Sequence, residues 1–404
     1  MHPEKLLPPF SRRSFLQIST AASAAATVRI LTEPMLARAQ AKTFAEWKSF
    51  PKDAVVIDQN ENPLGPCEAA REAIAAITPR GGRYSLDMTD ELTTAFAQTE
   101  GLKPAYVKAF PGSSGPLHYS VLAFTAPEKS YVTADPGYEA GLHCAKFTRA
   151  RIVPIKLTKD YAHDVKAMLA AAPDAGLFYI CTPNNPTGTL TSHADIEYLV
   201  ENKPKGAIVL VDEAYIHFAD TTSALDLVKA DKDVIVLRTF SKVYGMAGLR
   251  CGFAIARPDL LAHLENYSGW SAMPITAVAA AAASLKEPQL VPERKRINTA
   301  VRQETFAWLE RNGYSYIPSQ SNCFLLDTKR PGRQVIDAMA QLNVFIGRVW
   351  PSMPTWVRIT VGTQDEMARF QAAFQRVMNG PAVGRMSMPT RSRKLRLDGV
   401  ALPA

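Results

Sequence analysis

Lys242 lies between two hydroxyl-bearing residues, Thr239 and Ser241, on one side and a run of small residues on the other in the stretch RTFSKVYGMAGLRCGF (238–253), and Arg250 follows eight positions later. A lysine amine forms reversible imines with aldehydes. The hydroxyls of Thr239 and Ser241 and a guanidinium are groups that bind phosphate. A solvated loop would tolerate these residues, but it would not need the small, Gly-rich spacing around them. The stretch therefore raises the question of which ligand would use an amine, hydroxyls and a guanidinium together.

Further polar residues follow apolar runs elsewhere in the chain. GLFYIC (176–181) runs into TPNNPTG, AIVLVD (207–212) ends on Asp212, and PGSSGP (111–116) is expected to open a helix. Each feature alone is weak, because a PNNP turn is usually only a turn and an Asp at a strand end is often an N-cap. Ligands of open α/β sheets bind beyond the carboxyl ends of the strands. The order of these features therefore predicts a site at that edge.

Short apolar runs alternate with helical spacing between about 105 and 256. The predicted strands of this part are 130–134, 151–155, 176–181, 207–212, 234–238 and 251–256, and helical spacing covers 163–171 and 192–202. Such alternation is typical of a mainly parallel sheet with helices on both faces. A long helical stretch starts at 276, and strands are predicted at 324–327, 344–349 and 356–361. The sequence thus predicts an α/β fold, a large domain followed by a smaller C-terminal α+β domain.

The motifs together resemble the fold-type I, class I/II aminotransferases that use pyridoxal 5'-phosphate, and in particular their histidinol-phosphate aminotransferase branch. The resemblance covers about 50–379 and rests on NENPLGP, TPNNPTG, VDEAY, TFSK, GLRCGF and VRITVGT. Asp212 follows Asn185 by 27 residues and precedes Lys242 by 30. The resemblance implies a seven-stranded-type sheet in the large domain. It also answers the opening question, since the cluster around Lys242 would clamp an aldehyde and a phosphate.

The resemblance also implies roles at the cofactor ring. Lys242 would form the Schiff base and then act as general acid and base. Asp212 would keep the pyridine nitrogen protonated. Asn185 and Tyr215 would bind the ring's phenolic oxygen, and Tyr138 would stack on the ring face.

The cofactor phosphate would be held by hydroxyls, a helix N-terminus and a charged fork. The residues expected there are Ser113, Ser114, Thr239, Ser241 and Arg250. Tyr84 matches the family's tyrosine that reaches the phosphate in the neighbouring subunit. The chain is therefore expected to form a homodimer with shared active sites, although Tyr84 and Tyr138 are also compatible with plain core tyrosines.

On the substrate side, Arg358 matches the arginine that binds the substrate's anionic group, and a guanidinium fork suits a carboxylate. Arg348 matches a second arginine that points toward the pocket, with a structural ion pair as the alternative. Asn62 and Gly65 lie where the family's N-terminal segment closes over the substrate.

Three departures from the family pattern lie near the substrate side. Gly115-Pro116 follows PGSS where an acidic residue is common, Gly141 replaces a second aromatic, and 267–278 lacks the usual asparagine. They make histidinol phosphate a less favoured substrate. We expect amino transfer between an amino acid, or an amino-acid unit of a secreted metabolite, and a 2-oxo acid. Histidinol-phosphate transamination, a pyridoxal-phosphate-dependent oxidase, decarboxylase or lyase, and a cofactor-binding regulator remain open. The sequence does not decide the donor or the acceptor.

The N-terminus resembles a twin-arginine (Tat) export signal, because SRRSFLQ (11–17) precedes a weakly apolar stretch and small-residue cleavage sites. We expect cleavage after Ala39 or Ala41, a periplasmic enzyme exported by the Tat machinery, and no permanent membrane anchor. Histidine biosynthesis is cytoplasmic, so export also argues for another substrate. The expected segments are a signal (1–41), an arm (42–67), the large domain (68–270), a helical link (271–312), the small domain (313–379) and a basic flexible tail (380–404).

The chain has 404 residues and a formal net charge of +8. The excess positive charge lies at the two ends, in 1–41 and 380–404, so a nucleic-acid partner is not expected. The five cysteines occur singly, without a CxxC pair. This indicates buried free thiols rather than a metal or redox site, and export leaves disulfides possible.

Overall fold

The computed structural model describes residues 50–270 and 272–380. Every helix and strand described lies between residues 53 and 380. The predicted export signal (1–41), the first part of the arm (42–49) and the tail from 381 onward lie outside the described residues.

A seven-stranded sheet forms the centre of the larger part, with the strand order β2-β8-β7-β6-β5-β3-β4. Its strands are β2 Val107–Phe110, β3 Ser130–Asp135, β4 Ile152–Lys156, β5 Ala175–Cys181, β6 Ile208–Asp212, β7 Val234–Thr239 and β8 Gly252–Ile255. β3 to β7 pair in parallel, and β8 is antiparallel to both of its neighbours. The predicted mainly parallel sheet is confirmed.

The central strands β5, β6 and β7 are buried along their whole length. Strands covered on both faces are continuous apolar runs rather than alternating patterns, which is why these segments were recognisable. Since neighbouring parallel strands end at the same edge, the residues that follow β5, β6 and β7 come together. β2 is not among the predicted strands, because it has only four residues and one of them is exposed.

Helices cover this sheet. They are α1 Glu68–Ile77, α2 Leu86–Thr99, α3 Ser114–Phe124, α4 Ala140–Phe147, α5 Val165–Ala171, α6 His193–Asn202, α7 Leu225–Lys229, α8 Pro258–Ser268 and α9 Ile275–Leu285. α6 begins where the sequence indicates, because the Ser192 hydroxyl accepts from the backbone N–H of Asp195. α9 is Ala-rich and packs against α1 and α2.

The smaller part contains α10 Leu290–Arg311, β9 Ser315–Tyr316, β10 Cys323–Asp327, α11 Gly332–Ala340, β11 Val344–Ile346, β12 Trp356–Thr360 and α12 Gln364–Asn379. β12, β10 and β9 form a three-stranded antiparallel sheet. A capping box of Thr363 and Glu366 starts α12.

The arm contributes a short strand, β1 Val55–Ile57, which pairs in parallel with β11. Val55 and Ile57 belong to the apolar core of the smaller part, together with residues such as Phe370 and Phe374. The larger part has its own core. The predicted division into domains stays a prediction, but the arm's strand clearly packs with the small C-terminal core.

A helix that crosses a bilayer needs about 20 apolar residues, and none of the helices in the described residues meets that need. The cysteines are all unpaired. Four of them are buried, as predicted, while Cys67 is only half-buried.

Candidate active site

Lys242 follows the carboxyl end of β7 and is half-buried. Its Nζ donates to the backbone oxygens of Asn60 at 3.0 Å and Gln59 at 3.3 Å, and lies 5.5 Å from the centre of the Tyr215 ring. Burial lowers the pKa of the amine to about 8, and the charge of Arg358 acts in the same direction. Near neutral pH a larger fraction of this amine is therefore in the neutral, nucleophilic form than in an ordinary lysine.

Asp212 is the last residue of β6 and is 3% exposed. Its carboxylate accepts from Tyr179 Oη at 2.9 Å and from the backbone N–H of Ala214 at 3.1 Å. Burial raises its pKa to about 6, against these hydrogen bonds and the charge of Lys242. A buried carboxylate of this kind is stabilised by a cationic partner such as a protonated ring nitrogen.

Asn185, Tyr215 and Arg358 are buried around the same space. Arg358 Nη1 donates to Asn185 Oδ1 at 2.9 Å. Tyr215 Oη accepts from Asn60 Nδ2 at 3.0 Å, which ties the arm to the strand-end loop after β6. The structure thus brings together the predicted residues of the ring's phenolic edge and of the substrate side.

Gly112 gives room to Arg250, and Gly252 gives room to the backbone at Ser113, just before α3. Its Nη1 donates to Ser241 Oγ at 3.3 Å, and Thr239 Oγ1 donates to Ser241 Oγ at 2.9 Å. A Cβ built on Gly112, whose φ is +83°, would lie 2.1 Å from Arg250 Nη2. A Cβ on Gly252 would lie 2.8 Å from the backbone N of Ser113. Only glycines allow this close approach.

Ser113 and Ser114 stand at the start of α3, where Ser113 is the N-cap. Backbone N–H groups at such a terminus attract anions. Tyr138 follows β3 and is half-buried. Burial raises the pKa of its hydroxyl, and the charges of Asp212 and Arg348 also act on it.

The donor set fits pyridoxal phosphate. A guanidinium, hydroxyls and a helix start lie on the glycine-lined side, and an amine and a carboxylate follow the neighbouring strands β7 and β6. The residues that would hold the group are Ser113, Ser114, Tyr138, Asn185, Asp212, Tyr215, Thr239, Ser241, Lys242 and Arg250. When bound, the cofactor supplies an aldehyde that takes up amines and a ring that accepts electrons.

Arg358 lies on β12 and is 6% exposed. Besides its bond to Asn185, its Nη2 donates to the backbone oxygen of Asp58 at 2.5 Å. Its Nε is buried and has no hydrogen-bond partner within the described residues. Gly347 leaves room beside this nitrogen, since a Cβ there would lie 3.3 Å from it.

Arg348 is exposed and forms an ion pair with Glu139, with its guanidinium carbon 4.8 Å from the centre of the Trp350 ring. Asn62 Nδ2 donates to the backbone oxygen of Val243 at 3.0 Å. Gly65 has a φ of +63°, and its carbonyl oxygen fills the place where a Cβ on Gly245 would stand. Asn62 and Gly65 therefore pack against the segment that follows Lys242.

Tyr84 is 65% exposed, whereas the other predicted cofactor residues are buried or half-buried. Its ring meets Trp270 edge-on, with 5.0 Å between the ring centres. Its predicted role in a neighbouring subunit stays a prediction.

Sequence reasoning missed several residues of this site. Asn60 stands in the NENPLGP motif two residues before Asn62, and the motif alone does not distinguish their roles. Tyr179 lies within an apolar strand, where no pattern marks it as a site residue. Glu139 and Trp350 adjoin the recognised Tyr138 and Arg348, so closeness in sequence could have indicated them. Asp58 contributes a backbone oxygen, which no residue type signals.

The structure gives one departure from the family pattern a packing reason. A Cβ on Gly141 would lie 2.3 Å from the hydroxyl oxygen of Tyr131, which is fully buried below α4. A larger side chain at position 141 would require Tyr131 to move. Pro116, in the departure that follows PGSS, is buried in the first turn of α3.

Comparison with known proteins identifies the family. The model for aminotransferase class I and II matches residues 52–374. The histidinol-phosphate aminotransferase of Symbiobacterium thermophilum is 33% identical over 326 residues, which are 80% of this chain and 90% of that protein. The aromatic amino acid aminotransferase of Cutibacterium acnes is 31% identical over 341 residues, which are 83% of this chain and 96% of that protein.

Solved structures agree with the fold. The structure of the histidinol-phosphate aminotransferase of Sinorhizobium meliloti, in complex with pyridoxal-5'-phosphate, matches with a TM-score of 0.75 at 24% identity. The match covers 88% of this chain and 99% of that chain. The chain belongs to the class I and II aminotransferases and is a pyridoxal-phosphate-dependent enzyme.

Proposed function

We propose that this enzyme transfers the amino group of an α-amino acid, free or as a unit of a larger secreted metabolite, to a 2-oxo acid in the periplasm. The observation that carries the substrate class is the guanidinium of Arg358. It is buried and held in place on two nitrogens by Asn185 and Asp58, and its buried Nε has no hydrogen-bond partner in the part of the chain that the structure describes. A buried donor without a partner is costly, and a substrate carboxylate would satisfy it.

The reaction needs a group that moves a proton at the substrate's Cα, and Lys242 Nζ is the amine placed for it. Its lowered pKa lets it accept and return a proton near neutral pH. Asp212 would hold the proton on the ring nitrogen, and Arg358 would orient the substrate through its carboxylate. Asn60 bonds Tyr215 and lies against Lys242, so the arm shields the reacting amine from water.

The test is a screen of half-reactions. The purified holoenzyme is mixed with one amino acid at a time, and the visible absorption of the bound cofactor is followed. We expect a change that an added 2-oxo acid reverses, and an Arg358→Lys variant should lose about tenfold or more in kcat/KM. Hydrogen peroxide, carbon dioxide or ammonia in place of a reversible change would contradict amino transfer.

Histidinol phosphate is the second candidate donor, because relatives such as the Symbiobacterium thermophilum protein carry that activity in their names. It lacks the α-carboxylate that Arg358 would bind, and its phosphate would have to use the same arginines. Including histidinol phosphate in the same screen compares it directly with α-amino acids.

The periplasmic location is supported by the SRRSFLQ motif, which lies outside the described residues. Cell fractionation of the wild type and of an Arg12→Lys/Arg13→Lys double variant tests it. We expect the wild type in the periplasm and the variant in the cytoplasm. Export of the double variant would refute the targeting.

A homodimer with shared active sites is part of the proposal. Tyr84 and Trp270 are 65% and 71% exposed in the single chain and contact each other. Large exposed aromatic side chains in contact are typical of interaction surfaces. Tyr84 of one subunit would reach the cofactor phosphate of the other.

A further inference from the structure

A carboxylate stands beside the second substrate-side arginine. Glu139 directly follows Tyr138 and accepts a hydrogen bond from Arg348 Nη2. Arg348 lies within electrostatic range of the Tyr138 hydroxyl. The guanidinium carbons of Arg348 and Arg358 lie 4.8 Å and 5.7 Å, respectively, from the centre of the Trp350 ring. The ion pair is therefore part of the wall on which the substrate is expected to lie.

The pair is positioned by its neighbours. Trp350 Nε1 donates to the backbone oxygen of Gly137 at 2.9 Å, and Ser352 Oγ donates to Asp135 Oδ1 at 2.6 Å. Contacts thus join 139 to 348, 137 to 350 and 135 to 352, every second residue on two segments that run in opposite directions. Facing side chains on antiparallel segments are held in register by such contacts.

The pair is also open to a ligand. The side chains of Arg348 and Glu139 are 49% and 37% exposed, whereas the buried pair of Arg238 and Glu213 shows 6% and 1%. An exposed pair adds little to stability. Its charges still act on any group that arrives beside it.

We propose that Glu139 is a specificity-determining residue that selects amino donors with uncharged side chains over donors that carry a phosphate or a second carboxylate. This rests on the proposed amino transfer from α-amino acids. Arg348 is already neutralised by Glu139, so an anionic side chain would have to displace this carboxylate or lie against it. Repulsion of the wrong ligand is a standard route to specificity. The free Nε of Arg358 remains for the α-carboxylate common to all donors.

Binding to the holoenzyme tests this directly. Dissociation constants of glutarate, a dicarboxylate, and of hydrocinnamate, a monocarboxylate with an apolar chain, are measured by calorimetry. In Glu139→Gln we expect the Kd of glutarate to fall about tenfold or more, a change of about 1.4 kcal/mol. The Kd of hydrocinnamate should change less than about threefold, a difference of about 0.7 kcal/mol. Glu128→Gln, at an exposed acidic position before β3, is the matched control.

Two further variants make the outcome decisive. Glu139→Ala should give the same gain, and in Glu139→Gln/Arg348→Gln the gain should vanish because the released guanidinium is gone. With glutamate and phenylalanine as donors, the ratio of kcat/KM should move in the same direction. An unchanged ratio of the two Kd values in Glu139→Gln overturns the proposal. If the holoenzyme turns over no donor, the proposed function fails, and the two Kd values still decide for or against Glu139.

Discussion

Burial shifts the pKa values of Lys242 and Asp212 in opposite directions, the amine down to about 8 and the carboxyl up to about 6. In both groups the main cause is the loss of water around the charged form. In the cofactor-free protein, the charged form of each group is therefore higher in free energy than it would be in water. A covalent bond to the amine and a cationic nitrogen beside the carboxylate would relieve both costs, which favours binding of the cofactor.

The lowered pKa of Lys242 predicts how covalent capture of pyridoxal phosphate depends on pH. Only the neutral amine attacks, so the rate in cofactor-free protein should rise about tenfold per pH unit from pH 6 and level off above pH 8. With an ordinary lysine, the rate of capture would keep rising up to about pH 10. Stopped-flow absorbance measures the rate.

Lys242→Ala is the control for that experiment. Borohydride treatment followed by peptide mapping should find a reduced lysine at 242 in the wild type and none in the variant. Full turnover by Lys242→Ala would contradict the assignment.

The close contact between Gly112 and Arg250 predicts that one added methyl group at position 112 lowers the affinity for the cofactor. In Gly112→Ala the new Cβ would overlap the guanidinium of Arg250, so the Kd of pyridoxal phosphate should rise about 10- to 100-fold. Fluorescence titration measures it.

Gly206→Ala is the matched control for Gly112→Ala. Gly206 has a φ of +81° against +83° at Gly112, but nothing lies within 4 Å of its added Cβ. Both variants should lose about 1 kcal/mol of stability from backbone strain. A similar loss of affinity in both would show that strain rather than the contact with Arg250 is responsible.

At the scale of elements, the sequence predicts a strand best where the strand is a continuous apolar run that is buried on both faces. β5, β6 and β7 are continuous apolar runs, and their ends place Asp212 and Lys242 at one edge of the sheet. β1 and β2 were missed because they have three and four residues and pair with strands far along the chain.

The parts of the site that sequence reasoning missed depend on distant contacts. Asn60 bonds Tyr215, 155 residues away, and Thr360, 300 residues away. Trp350 bonds Gly137 across 213 residues. No local pattern records such pairs, and only the residue types of the motifs hinted at them.

Trp350 lies in the segment after β11, and its hydrogen bond to Gly137 predicts that a substitution here lowers stability and changes the kinetics. Trp350→Phe keeps a ring beneath both arginines but removes the N–H that binds the Gly137 oxygen. A buried acceptor left without its donor costs about 1–3 kcal/mol. The KM of the amino donor should rise several-fold, because the segment that carries Arg348 loses its hydrogen bond to the Gly137 oxygen. Urea unfolding and steady-state kinetics measure the two effects.

Trp308→Phe on α10 is the control for Trp350→Phe, since this half-buried ring stacks on Tyr314 away from the substrate arginines. It should lose stability without a change in KM. Equal KM values in Trp350→Phe and the wild type would show that the Trp350 indole does not position the arginines.

At the scale of the whole molecule, the site is assembled from two cores. Tyr215 belongs to the core of the larger part, while Val357 and Ile359, on either side of Arg358, belong to the smaller one. Asn60 joins them by bonding Tyr215 on one side and Cys323 and Thr360 on the other. Small movements of one part against the other would therefore change the site directly.

The proposed dimer adds a third contribution, the partner's Tyr84, and this predicts complementation between two defective subunits. Lys242→Ala lacks the amine but keeps Tyr84, and Tyr84→Phe lacks the hydroxyl but keeps the amine. In a mixed dimer with shared sites, one of the two sites has both groups. Random reassociation of equal amounts should restore about a quarter of the wild-type sites.

The hybrids are assayed at a low concentration of pyridoxal phosphate, where the lost hydroxyl matters because one hydrogen bond to a charged group is worth about 1.5–3 kcal/mol. Lys242→Ala alone should be inactive, and Tyr84→Phe alone should bind the cofactor about tenfold more weakly. If Tyr84 served its own subunit, the mixed dimer would contain no complete site, and activity would stay at the level of the Tyr84→Phe subunits. Recovery above that level can arise only when one chain completes the site of the other, so this mixture separates a shared site from a self-contained one.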